Sequence, residues 1–415
     1  MSEGGEADIL IVGGGPAGML AGLLFARAGI QTLVLEKHGD FFRDFRGDTV
    51  HPSTMEILHQ LGLLERFLQR PHHKLDRAEI LWNRKRMEIG DLSHLHTPAP
   101  FIAMMPQWDF LDFLRDEAEV YPGFALRMEA SVTDFIETAG RIVGVRLSNG
   151  EGLRAGKLVI AANGRDSLVR SRHILPLENL GAPIDVFWFA VPKTESGSAL
   201  RGCVDGRSLL VMIDRGDYWQ CAYVIPKGVA KSMEERGIAA FRDAIRNVAP
   251  DLPGLDAALP DWNAVRLLSV SLDRLTCWHR PGLLAIGDAA HAMSPVGGVG
   301  INLAIQDAVA AANFLAGPIA KRENPDRLLH KVQDRRLLPT RLVQRAQRAA
   351  HEGFLQPLLS GEISVDKPPL LVRMLDRFPL LRRIPGRAIG LGVRREKLTA
   401  PAASPLLAKE QGHPV

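Results

Sequence analysis

The sequence predicts a mixed α/β fold, α+β overall, on three observations. Apolar, β-branched runs lead directly into glycine turns and helices. A middle stretch reads as short strands punctuated by turn signals, and the last quarter is helical and rich in arginine. The 415 residues are 46% hydrophobic and 24% charged, an ordinary globular balance, with length for two or three domains. Those figures exclude a disordered chain, a collagen-like repeat and a disulfide scaffold.

The first element is residues 8–12 (DILIV), a run suited to a strand buried on both faces. GGGPAG at 13–18 follows, matching GxGxxG, then an Ala- and Leu-rich helix to Gly29 and a second strand, TLVLE, ending at Glu36. Gly13 allows the tight turn, Gly15 lets backbone approach a pyrophosphate, and Gly18 permits close helix–strand packing. The helix start offers free N–H groups to phosphates, and Glu36, 18 residues beyond Gly18, is placed for a ribose. This order of parts is a Rossmann-like dinucleotide site. Residues 9–26 are uncharged and mostly apolar, but the glycines and Pro16 in their middle exclude a membrane-spanning helix.

Two later segments repeat the logic. Residues 158–162 (LVIAA) end in Asn163-Gly164, and residues 282–286 (GLLAI) lead into GDAAH at 287–291 and PVGGVGIN at 295–302. Asp288 sits where an acid can bind a sugar hydroxyl, and the glycine loop before a helix presents further amides.

With these motifs the chain resembles the p-hydroxybenzoate hydroxylase type of flavoprotein monooxygenases, the FAD-dependent aromatic hydroxylases, over residues 7–330. Residues 46–52 (RGDTVHP) and Gln107 match as well. The resemblance implies a Rossmann-like FAD-binding domain (1–75, 99–180 and 276–330), an interleaved β-sheet substrate domain (76–98 and 181–275) and C-terminal helices (331–415). It implies extended FAD, with Gly13, Gly15 and Gly18 at the pyrophosphate, Glu36 at the adenosine ribose and Val132 at the adenine edge. Asp288 would hold the ribityl chain, Arg46 and Gln107 the middle, and Gly300, Ile301 and Asn302 the pyrimidine end. Pro16, Ala17, Lys37, Pro295 and Gly298 complete the cofactor set. Arg46, His51 and Pro295 take catalytic positions, His51 as a proton relay because imidazole titrates near neutrality. The reaction implied is aromatic hydroxylation by a flavin C4a-hydroperoxide, with O2 and a transiently bound NADH or NADPH. Asn163 departs from the family's Asp-Gly pair; it keeps hydrogen bonding but loses the charge, so FAD binding is expected to survive and reduction to change.

For the substrate, strand alternation with this resemblance turns Gln220 and Ala222 toward the flavin, with Trp188 and Met212 nearby. That face shows no Arg or Lys, which favours a neutral, flat aromatic molecule; core packing of Trp188, Met212 and Ala222 is the competing reading. His291 is expected to fix its loop, and adjacent His72 and His73 diverge, against a metal site. A flavin reductase of the same fold and a non-catalytic FAD-binding protein are the rival functions. The halogenase pattern WxWxIP is not met by residues 219–226.

Net charge is +4, yet residues 321–415 alone hold 19 basic and 9 acidic residues. Without interleaved aromatics this end does not suggest nucleic-acid binding. A solvated helical cap is favoured, with contact to an anionic membrane surface as the alternative. Cys203, Cys221 and Cys277 are widely spaced and the start is acidic, so a reducing cytoplasm, as monomer or homodimer, is the expectation.

Overall fold

The computed structural model describes residues 7–42, 49–193, 200–363 and 366–403. The strand Ala7–Val12 lies in the middle of the main sheet, parallel to Thr32–Leu35 on one side and Gly152–Ala161 on the other. Phe124–Arg127 and Leu283–Ala285 extend the parallel core outward. Alternate residues of the first strand enter two cores. Ile9 and Ile11 pack under helices Pro16–Arg27 and Gly300–Ala320, while Leu10 and Val12 meet Val145, Leu275 and Trp278 on the other face. Burial on both faces explains the unbroken apolar run. Helix Gly300–Ala320 is long and apolar enough to cross a membrane; here it is buried against the first helix inside the main core.

A second, seven-stranded sheet runs in the order Arg266–Ser269, Ile184–Pro192, Tyr218–Pro226, Ser208–Asp214, Leu200–Asp205, Arg77–Trp82 and Lys85–Asp91. Its pairings are antiparallel except between Leu200–Asp205 and Arg77–Trp82. Helix Ile238–Val248 covers one face through Phe241 and Ile245. The opposite face, with Val186, Trp188, Ile213 and Ala222, looks toward Val296 and the main domain.

The C-terminal region does more than cap the molecule. Helix Leu329–Ala350 continues as a π-helical turn, His351–Leu355, and a hairpin of Leu370–Arg377 and Pro379–Leu391 follows. Buried Arg336, Thr340, Gln344, Gln347 and His351 recur at helical spacing on the inner side. Gln344 Nε2 donates to the Asp273 carbonyl at 2.8 Å, and Gln347 Nε2 to the Ser294 and Val296 carbonyls at 2.9 and 3.0 Å.

Candidate active site

The GGGPAG turn, the GDAAH segment and the second sheet enclose one cavity of about 620 Å³. At one end, Gly13 adopts φ +107°, and a Cβ there would meet the Ala162 carbonyl at 2.6 Å. A Cβ on Gly18 would stand 1.9 Å from the Gly13 oxygen, so helix and turn can approach only because both residues are glycine. At Gly15 a Cβ meets nothing within 4 Å. Met19 N–H bonds the Gly15 carbonyl at 2.9 Å, which leaves the earlier amides of the helix start without intrahelical acceptors. Gly15, Pro16 and Ala17 line the cavity there.

Glu36 is largely buried and accepts the Gly14 N–H at 2.9 Å and the His38 N–H at 3.2 Å. Its carboxylate thus fixes the glycine turn while lining the cavity beside Lys37 and Val132. Gln107 begins helix Gln107–Ala118 on the same wall. Arg46 lies outside the described residues.

At the other end Asp288 lies on the wall, 3.4 Å from Arg165 Nη2. Its turn is held from behind. Arg170 donates to the Asp288 carbonyl at 2.7 Å and pairs with buried Asp273; Asp307 Oδ2 accepts the Gly287 N–H at 3.0 Å. Pro295, Gly298, Gly300 and Ile301 follow along the wall. Asn302 is one step behind it. Its Oδ1 accepts the His51 N–H at 3.0 Å and the Thr54 hydroxyl at 2.7 Å, tying the start of helix Gly300–Ala320 to residues 51–54. Thr49 adds a bond from its hydroxyl to the Gly298 carbonyl at 2.9 Å.

His51 requires a correction. The ring is fully buried behind the lining residues, with Nδ1 donating to the Ile389 carbonyl at 2.8 Å. Burial lowers its pKa to about 4, the Ile389 carbonyl opposing only in part, so the ring is neutral near pH 7. It braces the cavity wall from behind, and its Nε2 has no hydrogen-bond partner among the described residues.

Met212 is corrected as well. Trp188, Ala222 and Val211 are directly paired across three strands, and Gln220 pairs with Ile213 and Ala190. Side chains alternate along a strand, so these share one face. Met212 instead pairs with Cys221 and packs with Phe189 and Phe241 on the far side. Ile213 and Leu268 line the cavity with Trp188 in its place. Nor is the face that carries Trp188 free of cations. Arg215 Nε donates to Gln220 Oε1 at 3.0 Å, and burial lowers its pKa to about 10.

Several supporting residues were not visible to sequence reasoning. Ser294 lines the cavity next to Pro295, with its N–H on Gln347 Oε1 at 3.1 Å and its hydroxyl 2.9 Å from His351 Nε2. Asp307 receives His291 Nε2 at 2.6 Å and Arg336 Nε at 3.0 Å. His291 therefore fixes its loop, as expected.

The chain matches the FAD binding domain family over residues 6–346. It is 31% identical over 389 residues to 6-methylpretetramide 4-monooxygenase of Streptomyces rimosus, covering 92% of each chain. The chain belongs to the FAD-dependent aromatic hydroxylases. Rifampicin monooxygenase of Streptomyces venezuelae is 28% identical over 308 residues, 72% of this chain and 62% of that protein. Among solved structures, PqsL, a probable FAD-dependent monooxygenase from Pseudomonas aeruginosa, superposes with a TM-score of 0.72 at 19% identity, covering 86% and 99% of the two chains. OxyS anhydrotetracycline hydroxylase from S. rimosus gives 0.71 at 22% identity, covering 93% and 76%.

The wall of this aromatic hydroxylase fits FAD. Gly15 leaves the space a side chain would take, the first helix presents its amides, and Glu36 offers an ordered carboxylate. Asn163 Oδ1 is a buried acceptor on the cavity-lining segment with no partner among the described residues.

Proposed function

We propose that this enzyme hydroxylates a flat, largely apolar aromatic compound, taking electrons from NADH or NADPH and an oxygen atom from O2, in the cytoplasm. One observation carries the reading. The loop with Pro295, Gly298 and Ile301 and the apolar face with Trp188, Ile213 and Leu268 share a single cavity. A redox cofactor's reactive end and an aromatic ring would therefore meet there, shielded from water.

Bound FAD supplies the electron transfer and oxygen activation. The chain's residues bind and orient. Gly13, Gly15 and the first helix would hold the diphosphate, and Glu36 the ribose. Asp288, whose turn Arg170 and Asp307 fix, would hold the polyol chain. The first amides of helix Gly300–Ala320 would face the cofactor's ring system, a preorganised set of donors suited to negative charge there. Trp188, Ile213 and Leu268 present an apolar wall to the substrate, with Ala222 buried behind them. Three cysteines without disulfides support the cytoplasmic assignment.

The relative that aligns along nearly its whole length is named for 6-methylpretetramide, so compounds of that kind head the substrate panel. The test follows NAD(P)H oxidation, O2 uptake and product mass with each compound. A product heavier by one oxygen supports hydroxylation; oxidation of NAD(P)H with transfer of hydride alone to the compound would make the enzyme a reductase.

A further inference from the structure

The outer face of the C-terminal hairpin belongs to none of the sites above, and none of its residues lines the cavity. Helices Leu370–Arg377 and Pro379–Leu391 meet at Phe378 and lie on the edge strand Lys85–Asp91. Their inner side fixes them there. Gly386 approaches the strand so closely that a Cβ would come within 1.9 Å of the Asp91 carbonyl oxygen. Arg382 pairs with Glu88, and Asp376 accepts the Glu88 N–H at 3.1 Å. The outer side is therefore not needed to hold the hairpin in place.

That outer side is apolar. Leu370, Leu371, Phe378, Leu380 and Ile384 are 52% to 69% exposed, and Met374 is 39% exposed. Six of the twelve large hydrophobic side chains exposed among the described residues fall within these 15 residues. Such a concentration marks an interaction surface. Exposed Arg373, Arg377, Arg383 and Arg387 flank it. Asp376, the single acidic residue in 370–391, is turned inward.

The pairing of the two chemistries selects the partner. A second copy of the same face would bring arginine against arginine across a two-fold axis, which like charge opposes. An anionic bilayer satisfies both parts, taking leucine, isoleucine and phenylalanine into the acyl boundary while phosphates meet the guanidinium groups. With 8 and 13 residues, the helices are too short to span and suit an orientation in the interfacial plane. We propose that this hairpin docks the enzyme reversibly on an anionic lipid surface.

The experiment is co-sedimentation of the full-length enzyme with vesicles of phosphatidylcholine alone or mixed with phosphatidylserine, at low and raised salt. Binding to the mixed vesicles, weak binding to the neutral ones and loss with salt are expected. The double variant Leu380→Ser/Ile384→Ser should abolish binding. Arg383→Gln/Arg387→Gln should reduce it roughly thirty-fold, on the usual contribution of about 1 kcal/mol per basic residue at such a surface. Both should keep wild-type turnover without vesicles. Failure to bind the mixed vesicles, equal binding to neutral ones, or unchanged binding by both variants overturns the proposal. So does lipid-free dimerisation that the leucine–isoleucine variant abolishes, which would make the face a contact between copies. Vesicle binding is read without turnover, so its failure leaves the assignment as a hydroxylase untouched.

Discussion

His291 and Asp307 face each other at 2.6 Å in the interior of the FAD-binding domain, and the same carboxylate oxygen accepts the Gly287 N–H. Burial alone would raise the Asp307 pKa, but the charges and hydrogen bonds of His291 and Arg336 outweigh it and hold it below the ordinary value. Asp307→Ala removes the shared partner of a buried imidazole and a buried guanidinium, an uncompensated loss that costs about 3–5 kcal/mol. Urea denaturation should show that loss, and FAD should dissociate more readily because the Asp288 turn is released. An alanine variant as stable as the parent would contradict the network.

The neutral burial of His51 has a pH signature. Its folded pKa of about 4 lies below the ordinary 6.5, so between these values the unfolded chain binds the proton and the folded chain does not. The stability that neutral His51 contributes is fully present above pH 6.5 and is lost as pH falls toward 4, by on the order of 3 kcal/mol. Denaturation midpoints measured across that window should fall less steeply in His51→Gln than in the parent. Equal slopes would show that His51 does not titrate this way.

Gly15 and Gly18 should respond differently to the same added methyl group. Gly15→Ala projects into open cavity space and should weaken FAD binding while leaving the stability of FAD-free protein nearly unchanged. Gly18→Ala collides with the Gly13 carbonyl and should lower the melting temperature with or without FAD. Flavin titration and thermal melts on both variants separate the two effects.

The two faces of the second sheet can be distinguished kinetically. Met212→Ala opens a hole beside Phe241 and should cost about 2–5 kcal/mol of stability with little change in KM for the aromatic substrate. Leu268→Phe adds bulk to the cavity wall that Trp188 also lines and should raise KM with a small stability change. The reverse pattern would mean that the sheet presents its other side to the cavity.

How far the sequence could be read depended on whether a feature was local. The first strand, glycine turn, helix and Glu36 lie within 36 residues, and each has a local physical reason to be what it is. Strand alternation likewise separated the two faces of residues 218–226. It could not supply the register of the neighbouring strand. There the turn sets Asp214 opposite Trp219, so even-numbered residues oppose odd-numbered ones, and Met212 points away from Ala222. In sequence Arg215 reads only as part of the turn at 214–217; its return onto Gln220 depends on the fold. The inner stripe of helix Leu329–Ala350 was hidden for another reason. Arg336, Gln344 and Gln347 are polar, and a search for apolar periodicity places such residues in water. Only contact with Asp307, Asp273 and Ser294, distant in the chain, explains their burial.

The central claim, that this cavity hydroxylates an aromatic ring, is tested most directly with isotopically labelled O2. Enzyme loaded with FAD and supplied with NADH or NADPH is given the aromatic panel, and products are weighed by mass spectrometry. One labelled oxygen atom in the aromatic product, with NAD(P)H consumed in equal amount, is the expected result. Consumption of NAD(P)H without label in any product would contradict it.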